Sequence, residues 1–415
     1  MYQIHEERQP GQIALLIPAM LDDHFPLLRY AFFSPRYWPV ILTNTEHIAE
    51  TGLRYVHNDM CYPFHLIVGQ MIEALRSGRY DPAETALLMP TVGDSCRGSN
   101  FAALLRKAVA AAGFPTVRVL TLNTKGIDRA NAMHVGQGMV WRALFGLYYG
   151  DLLLLLTHQV RPFERDPGAA EALRARWTAR LAEELRTGRH LTLRAMKARF
   201  RAAARDFVQI PRWDGPQRSV ALVGEYYSKY CALGNWDMVA FLEEEGWACR
   251  LAGMSWYVRY YIDNQIAAGG PLAPGWRAVD RLFRHLQKAL IAALRENGFA
   301  VMDELGALRR QVQERLGIQV RVADGWCIAA ELLGHVGSGC DRVLAVQPFG
   351  CLAGHVCGQG IYAALVRQLP GVRLISVETD ASTARSQVYG RVRLLLEGEK
   401  KAAPHRTGQQ EWKGS

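Results

Sequence analysis

Short, mostly apolar runs recur along this chain, each bounded by glycine, proline or polar residues and followed by a stretch with helical spacing. They cover residues 12–18, 39–43, 86–89, 117–122, 219–223, 248–251, 343–346 and 373–377. Apolar runs of this length, without polar alternation, are the signature of strands buried on both faces. Strands that alternate with helices form a parallel sheet covered by helices on both sides. At 415 residues the chain is too long for one compact core. The runs also fall into two groups of four, separated by a long interval without strand signals. The expected fold is therefore α/β, with two Rossmann- or flavodoxin-like lobes, parallel sheets and an intervening helical region. The lobes are expected at 1–125 and 216–398, the helical insert at 126–215 and a flexible tail at 399–415.

The insert is dominated by leucine, alanine and arginine, with apolar residues at helical spacing in 170–185 and 193–207. It reads as a helical insert or lid. Much of the net charge of +10 comes from arginines between 161 and 218, where they alternate with Ala, Leu and Glu. That pattern is a solvated helix face, with a docking surface for an acidic partner as the second reading, and it gives no nucleic-acid footprint. Residues 144–156 are strongly apolar but are interrupted by Asp151. They fall short of the ~20 residues a membrane span needs and read as a buried helix. Residues 1–11 have no signal-peptide character, and the eight cysteines are irregularly spaced. Both features favour a reducing, cytoplasmic compartment and no membrane role.

No Walker loop is present. Gly358, Gly360 and Ala363 fit a loose dinucleotide fingerprint with Glu378 at the right distance, but the preceding strand ends at Val346. Close helix–sheet packing is the plainer reading. No Cys-x-x-Cys occurs, and Cys351 with His355 is the nearest approach to a zinc pair. A cysteine nucleophile, Cys351 or Cys96, with His355 as base is a further option. Three cysteines share a setting: Cys61, Cys96 and Cys351 each follow a strand or open a helix, where α/β ligands bind. We read these three thiols as one site. Three thiolates can anchor an iron–sulfur cluster and leave one iron open. The gaps of 35 and 255 residues match no ferredoxin spacing, so buried inert thiols remain the alternative. Cys231, Cys249, Cys327, Cys340 and Cys357 lie in or beside apolar strand and helix patterns and read as the inert kind.

Several motifs carry a resemblance: Asp59-Met60-Cys61-Tyr62-Pro63-Phe64, Gly93-Asp94-Ser95-Cys96-Arg97-Gly98-Ser99-Asn100, Val223-Gly224-Glu225-Tyr226-Tyr227, and Gln347-Pro348-Phe349-Gly350-Cys351-Leu352 with His355. Over residues 13–396 the chain resembles the 2-hydroxyacyl-CoA dehydratase superfamily, in its branch of acyl-CoA dehydratase activase-related proteins. The resemblance implies a [4Fe-4S] cluster held between two lobes by Cys61, Cys96 and Cys351. It implies low-potential one-electron chemistry on an acyl-CoA thioester, with an ATP-driven activase as electron donor. Arg97 would offset the negative charge of the cluster, and Glu225, Tyr226 and His355 would supply hydrogen bonds or protons. Many members carry activase domains ahead of this region, whereas here Met1 lies close to the first strand, so a separately encoded activase is expected. A homodimer, or a heterodimer with a related subunit, is compatible. Three roles stay open: a dehydratase-like lyase, a cluster-dependent reductase, or a non-catalytic scaffold or electron-relay subunit. A Rossmann protein binding NAD or S-adenosylmethionine is a third class.

Overall fold

The computed structural model describes residues 4–90, 96–122, 128–317, 320–321 and 323–397. The expected tail, 399–415, lies outside them. The first lobe holds β1 (Ile13–Ile17), β2 (Tyr37–Ile41), β3 (Thr85–Pro90) and β4 (Arg118–Leu122), in the order β2-β1-β3-β4. The second holds β5 (Ser219–Gly224), β6 (Ala248–Arg250), β7 (Arg342–Pro348) and β8 (Arg373–Thr379), in the order β6-β5-β7-β8. Every pairing is parallel. The fold is thus the expected α/β pair of lobes, and the two lobes share one strand order. In each, the order reverses between the first and third strands, a switch point where ligands bind in open sheets.

Several boundaries differ from the sequence reading for identifiable reasons. Pro348 was expected to stop its strand, yet it pairs with Thr379 at the end of β7. The other neighbour, β5, has already ended at the Gly224–Val346 pair, so the missing proline N–H breaks no ladder. The helical stretch expected after the first strand is only the short turn Phe25–Leu28, continued by a 3-10 turn, with Pro26 in its first turn. A helix at Met254–Ala268 was not foreseen, because its Tyr- and Trp-rich sequence lacks a clean apolar stripe.

The helical region is not a lid. The Gln137–Val160 helix is buried on nearly all sides, from Leu144 through His158, and forms the axis of the molecule. It packs on the Phe25–Leu28 turn of the first lobe, on the helices Ala169–Thr187 and Leu193–Val208, and on β6 and the Met254–Ala268 helix of the second. Among the described residues, the segment 137–163 is the one helix long and apolar enough to cross a membrane, and 83% of its most apolar window is buried inside the protein. It is a core helix, apolar all round because it has neighbours all round. Some arginines of the adjoining helices meet nearby acids: Arg174 with Glu171, Arg186 with Glu183, Arg199 with Glu184.

Two buried polar junctions tie the lobes to this axis. Asp151, fully buried, meets His24 Nε2 at 2.8 Å and accepts the amides of Met254 and Ser255 at 2.5 and 3.0 Å. It thereby caps the Met254–Ala268 helix from another element. Two turns further on, His158 bridges Asp23 at 3.1 Å and Glu243 at 2.8 Å. Burial alone would lower the His158 pKa, but the two carboxylates outweigh it and push it up to about 9. A folded pKa above the unfolded value of about 6.5 stabilises the fold fully below that pH and loses its effect as pH rises through 9. Wild-type protein should lose about 3 kcal/mol more than His158→Gln between pH 6.5 and 9.5, at 1.36 kcal/mol per pKa unit. Urea titrations at both pH values check this; parallel losses in the two proteins would refute it.

Candidate functional site

Cys61, Cys96 and Cys351 all line one cavity of about 900 Å³ between the two lobes. Each is set there by a local chain reversal. Cys61 precedes the Tyr62–Arg76 helix, whose first turn holds Pro63. That helix crosses the preceding Ile48–Tyr55 helix at backbone contact. A Cβ on Gly69 would lie 1.7 Å from the Ile48 carbonyl oxygen, and one on Gly52 would lie 2.0 Å from that of His65. Only glycine permits this approach, and it fixes where Cys61 stands. Cys96 opens the 3-10 turn Arg97–Asn100, which runs into the Phe101–Ala111 helix. Phe64 and Phe101 stack at 4.2 Å, holding the two cysteine-bearing helix starts side by side. The motif residues Gly93, Asp94 and Ser95 lie outside the described residues. Cys351 follows β7 through Gly350, whose φ of +68° makes the turn, while the Phe349 amide stays bonded to Thr379 at 3.0 Å.

The sulfurs sit at starts of helical turns and face backbone amides. Gly98 N–H donates to Cys96 Sγ and Gly354 N–H to Cys351 Sγ, each at 3.4 Å. Such N–H···S contacts are how a protein tunes bound iron–sulfur clusters. Two of the thiols, Cys61 and Cys351, are driven toward the neutral form. Burial, followed by the nearby Glu225, pushes Cys61 up to about 12. Burial, Glu225 and Asp324 likewise raise Cys351. Arg97 reaches across from the first lobe, donating from Nη1 to the Gly350 carbonyl at 3.1 Å. It places a guanidinium beside the thiols and links the loops that carry Cys96 and Cys351.

Glu225 and Tyr226 line the same cavity. Glu225 follows β5 and accepts the amides of Tyr227 and Ser228 at 3.1 and 2.8 Å, capping the Tyr226–Tyr230 helix. Burial raises its pKa despite those amides. Tyr226 packs on Tyr257 at 5.3 Å, and burial keeps its phenol protonated. His355 does not line the cavity. Its Nδ1 bonds the Cys351 carbonyl at 2.8 Å and its Nε2 meets Glu378 at 2.9 Å, so it secures the loop behind Cys351. That arrangement also leaves no Cys351–His355 metal pair. The glycines of the loose dinucleotide fingerprint lie at a π-helical turn, Gly354–Gln359, and not at a strand-to-helix turn. Glu378 is engaged by His355 and Gln359. The five other cysteines are buried, and none lines the cavity.

Three ionisable residues were missed in the sequence. Asp324 lines the cavity, and burial, then the charge of Glu225, push it up to about 7. Behind it, fully enclosed, Lys229 donates to both oxygens of Glu331 at 2.6 Å. The available signal was a charge inside an apolar run: Lys229 between Tyr227 and Tyr230, and Glu331 between Ala330 and Leu332. Among the described residues no three His, Cys, Asp or Glu side chains converge on a single metal ion. Ligands of a multi-iron cluster attach to different irons and surround a body instead of converging on a point.

The fold and site define a two-lobed α/β protein with three thiols at an interlobe cavity. Compared with known proteins, the chain matches no family model and no curated protein.

Proposed function

We propose that this is a cytoplasmic iron–sulfur protein of the 2-hydroxyacyl-CoA dehydratase type, using low-potential electrons on an acyl thioester or similar substrate. The observation that carries this reading is the meeting of Cys61, Cys96 and Cys351, drawn from both lobes, on one cavity. A [4Fe-4S] cluster would supply one-electron reduction and an iron open to a substrate oxygen. The chain's own residues would do the rest. Three thiolates would hold the cluster, and Arg97 would offset its negative charge. Asp324, with a pKa of about 7, can hold or release a proton at the cavity wall. Tyr226 and Tyr257 keep water from that wall. The electron donor would be a separate ATP-dependent activase. The size of the cavity beside the thiols favours a catalytic chain over a scaffold or relay subunit, since a relay has no need of a substrate chamber.

Iron and sulfide analysis with an absorption spectrum, on protein purified without oxygen, tests the reading directly. Brown protein that bleaches within minutes to hours in air is expected, because an open iron is exposed to oxidants. A colourless preparation that takes up no iron on reconstitution would refute it. Turnover of acyl-CoA thioesters with a reduced activase separates the catalytic role from that of a scaffold.

A further inference from the structure

The cavity has two chemically different ends. Its polar groups come from loops at the carboxyl edges of the sheets: the three thiols, Arg97, Glu225 and Asp324. Its apolar wall is built by Trp141, Leu144 and Leu147 of the Gln137–Val160 helix, together with Phe25 and Leu28 of the first lobe and Phe283 of the second. At about 900 Å³ it could hold some thirty waters, taking about 30 Å³ for each. Packed interiors leave few voids larger than one water, so this is no packing defect. Among the lining residues Arg97 is the single cation, and it stands at the thiol end. On the helical side the apolar wall continues to the surface through Val140 and Val279, which are 56% and 37% exposed. Apolar residues at a rim give a route for an apolar group to enter without crossing the polar end.

We propose that the apolar end of the cavity is a chamber for a long apolar chain, with its polar head toward the thiols. This deepens the proposed function by naming the body of its substrate, but the chamber is built by residues other than the proposed ligands. A chain of this kind can come as a free fatty acid or as a fatty-acyl thioester. A short acyl group would leave most of the apolar wall in contact with water. Burying one methylene is worth about 0.8 kcal/mol, which converts to about fourfold in affinity. Affinity should therefore climb steeply with chain length until the chamber is full.

Calorimetric titration of the full chain with saturated C4, C6, C8 and C10 fatty acids, and with the matching acyl-CoA thioesters, provides the test. We expect Kd to fall two- to fourfold per added methylene. Binding of thioesters as well as acids identifies a thioester ligand; binding of acids alone identifies a free acid. Leu144→Trp and Ala143→Phe each fill the chamber and should weaken C10 binding at least tenfold while leaving iron content unchanged. Affinity that does not depend on chain length in the wild type overturns the proposal, as does unchanged C10 binding in a folded filled variant. Chain-length dependence in a protein that never takes up iron would sustain the chamber and reject only the cluster.

Discussion

Cys61→Ala, Cys96→Ala and Cys351→Ala should each lose most of the bound iron from anaerobically prepared protein, while Cys249→Ala, Cys327→Ala and Cys340→Ala keep it. The reason is positional. The first three thiols line the interlobe cavity, whereas the second three are sealed in the second lobe's core, where burial raises their pKa values. Three anchors are the fewest that hold a cluster with one iron open, so removing any one should release it. Removing one buried sulfur elsewhere costs only about 1–2 kcal/mol of stability. Circular dichroism should show native helix content in all six variants, which separates loss of ligand from loss of fold. Full iron content in any of the first three, or iron loss confined to the second three, would refute the assignment.

Lys229→Met should destabilise the protein by about 3–5 kcal/mol at pH 8, the cost of leaving a buried charge without its partner. Glu331 lies fully enclosed, and Lys229 is the cation that meets both of its oxygens. Burial already raises the Glu331 pKa, and Lys229 is what opposes the rise. Without the lysine, Glu331 would have to be protonated in the folded state. A raised folded pKa contributes stability below the unfolded value of about 4.5 and loses it as pH climbs, so the variant should be markedly worse at pH 8 than at pH 5. The double variant Lys229→Met with Glu331→Leu should recover most of the loss, because an apolar pair of similar volume often replaces a buried ion pair without penalty. Urea titration at both pH values decides it. A loss under about 1 kcal/mol at pH 8 would mean that the pair is not enclosed as described. The same lysine holds down the carboxyl of Asp324, so the single variant should also raise the pKa of that cavity residue.

The eight strands and their parallel pairing were legible because a strand buried on both faces leaves an uninterrupted apolar run in the sequence. Cys61, Cys96 and Cys351 were legible as a set because each stands where a turn begins a helix, a local property marked by Pro63, Gly98 and Gly350. That buried cysteines such as Cys249 and Cys340 are packing residues also followed from their apolar neighbours. Tertiary structure decided what no local pattern encodes. The strand-free interval reads as a helical insert or lid, and only the packing shows that its Gln137–Val160 helix is the molecular axis, since an all-apolar helix does not say which neighbours enclose it. The resemblance gives His355 a role in hydrogen bonding or proton supply, and only the packed loop shows its partners, the Cys351 carbonyl and Glu378. Asp324 and the Lys229–Glu331 pair went unseen, because their chemistry depends on partners up to a hundred residues away. The convergence of the thiols is of the same kind: the chain supplied three separate turns, and only the docking of two lobes on one helix made them a site.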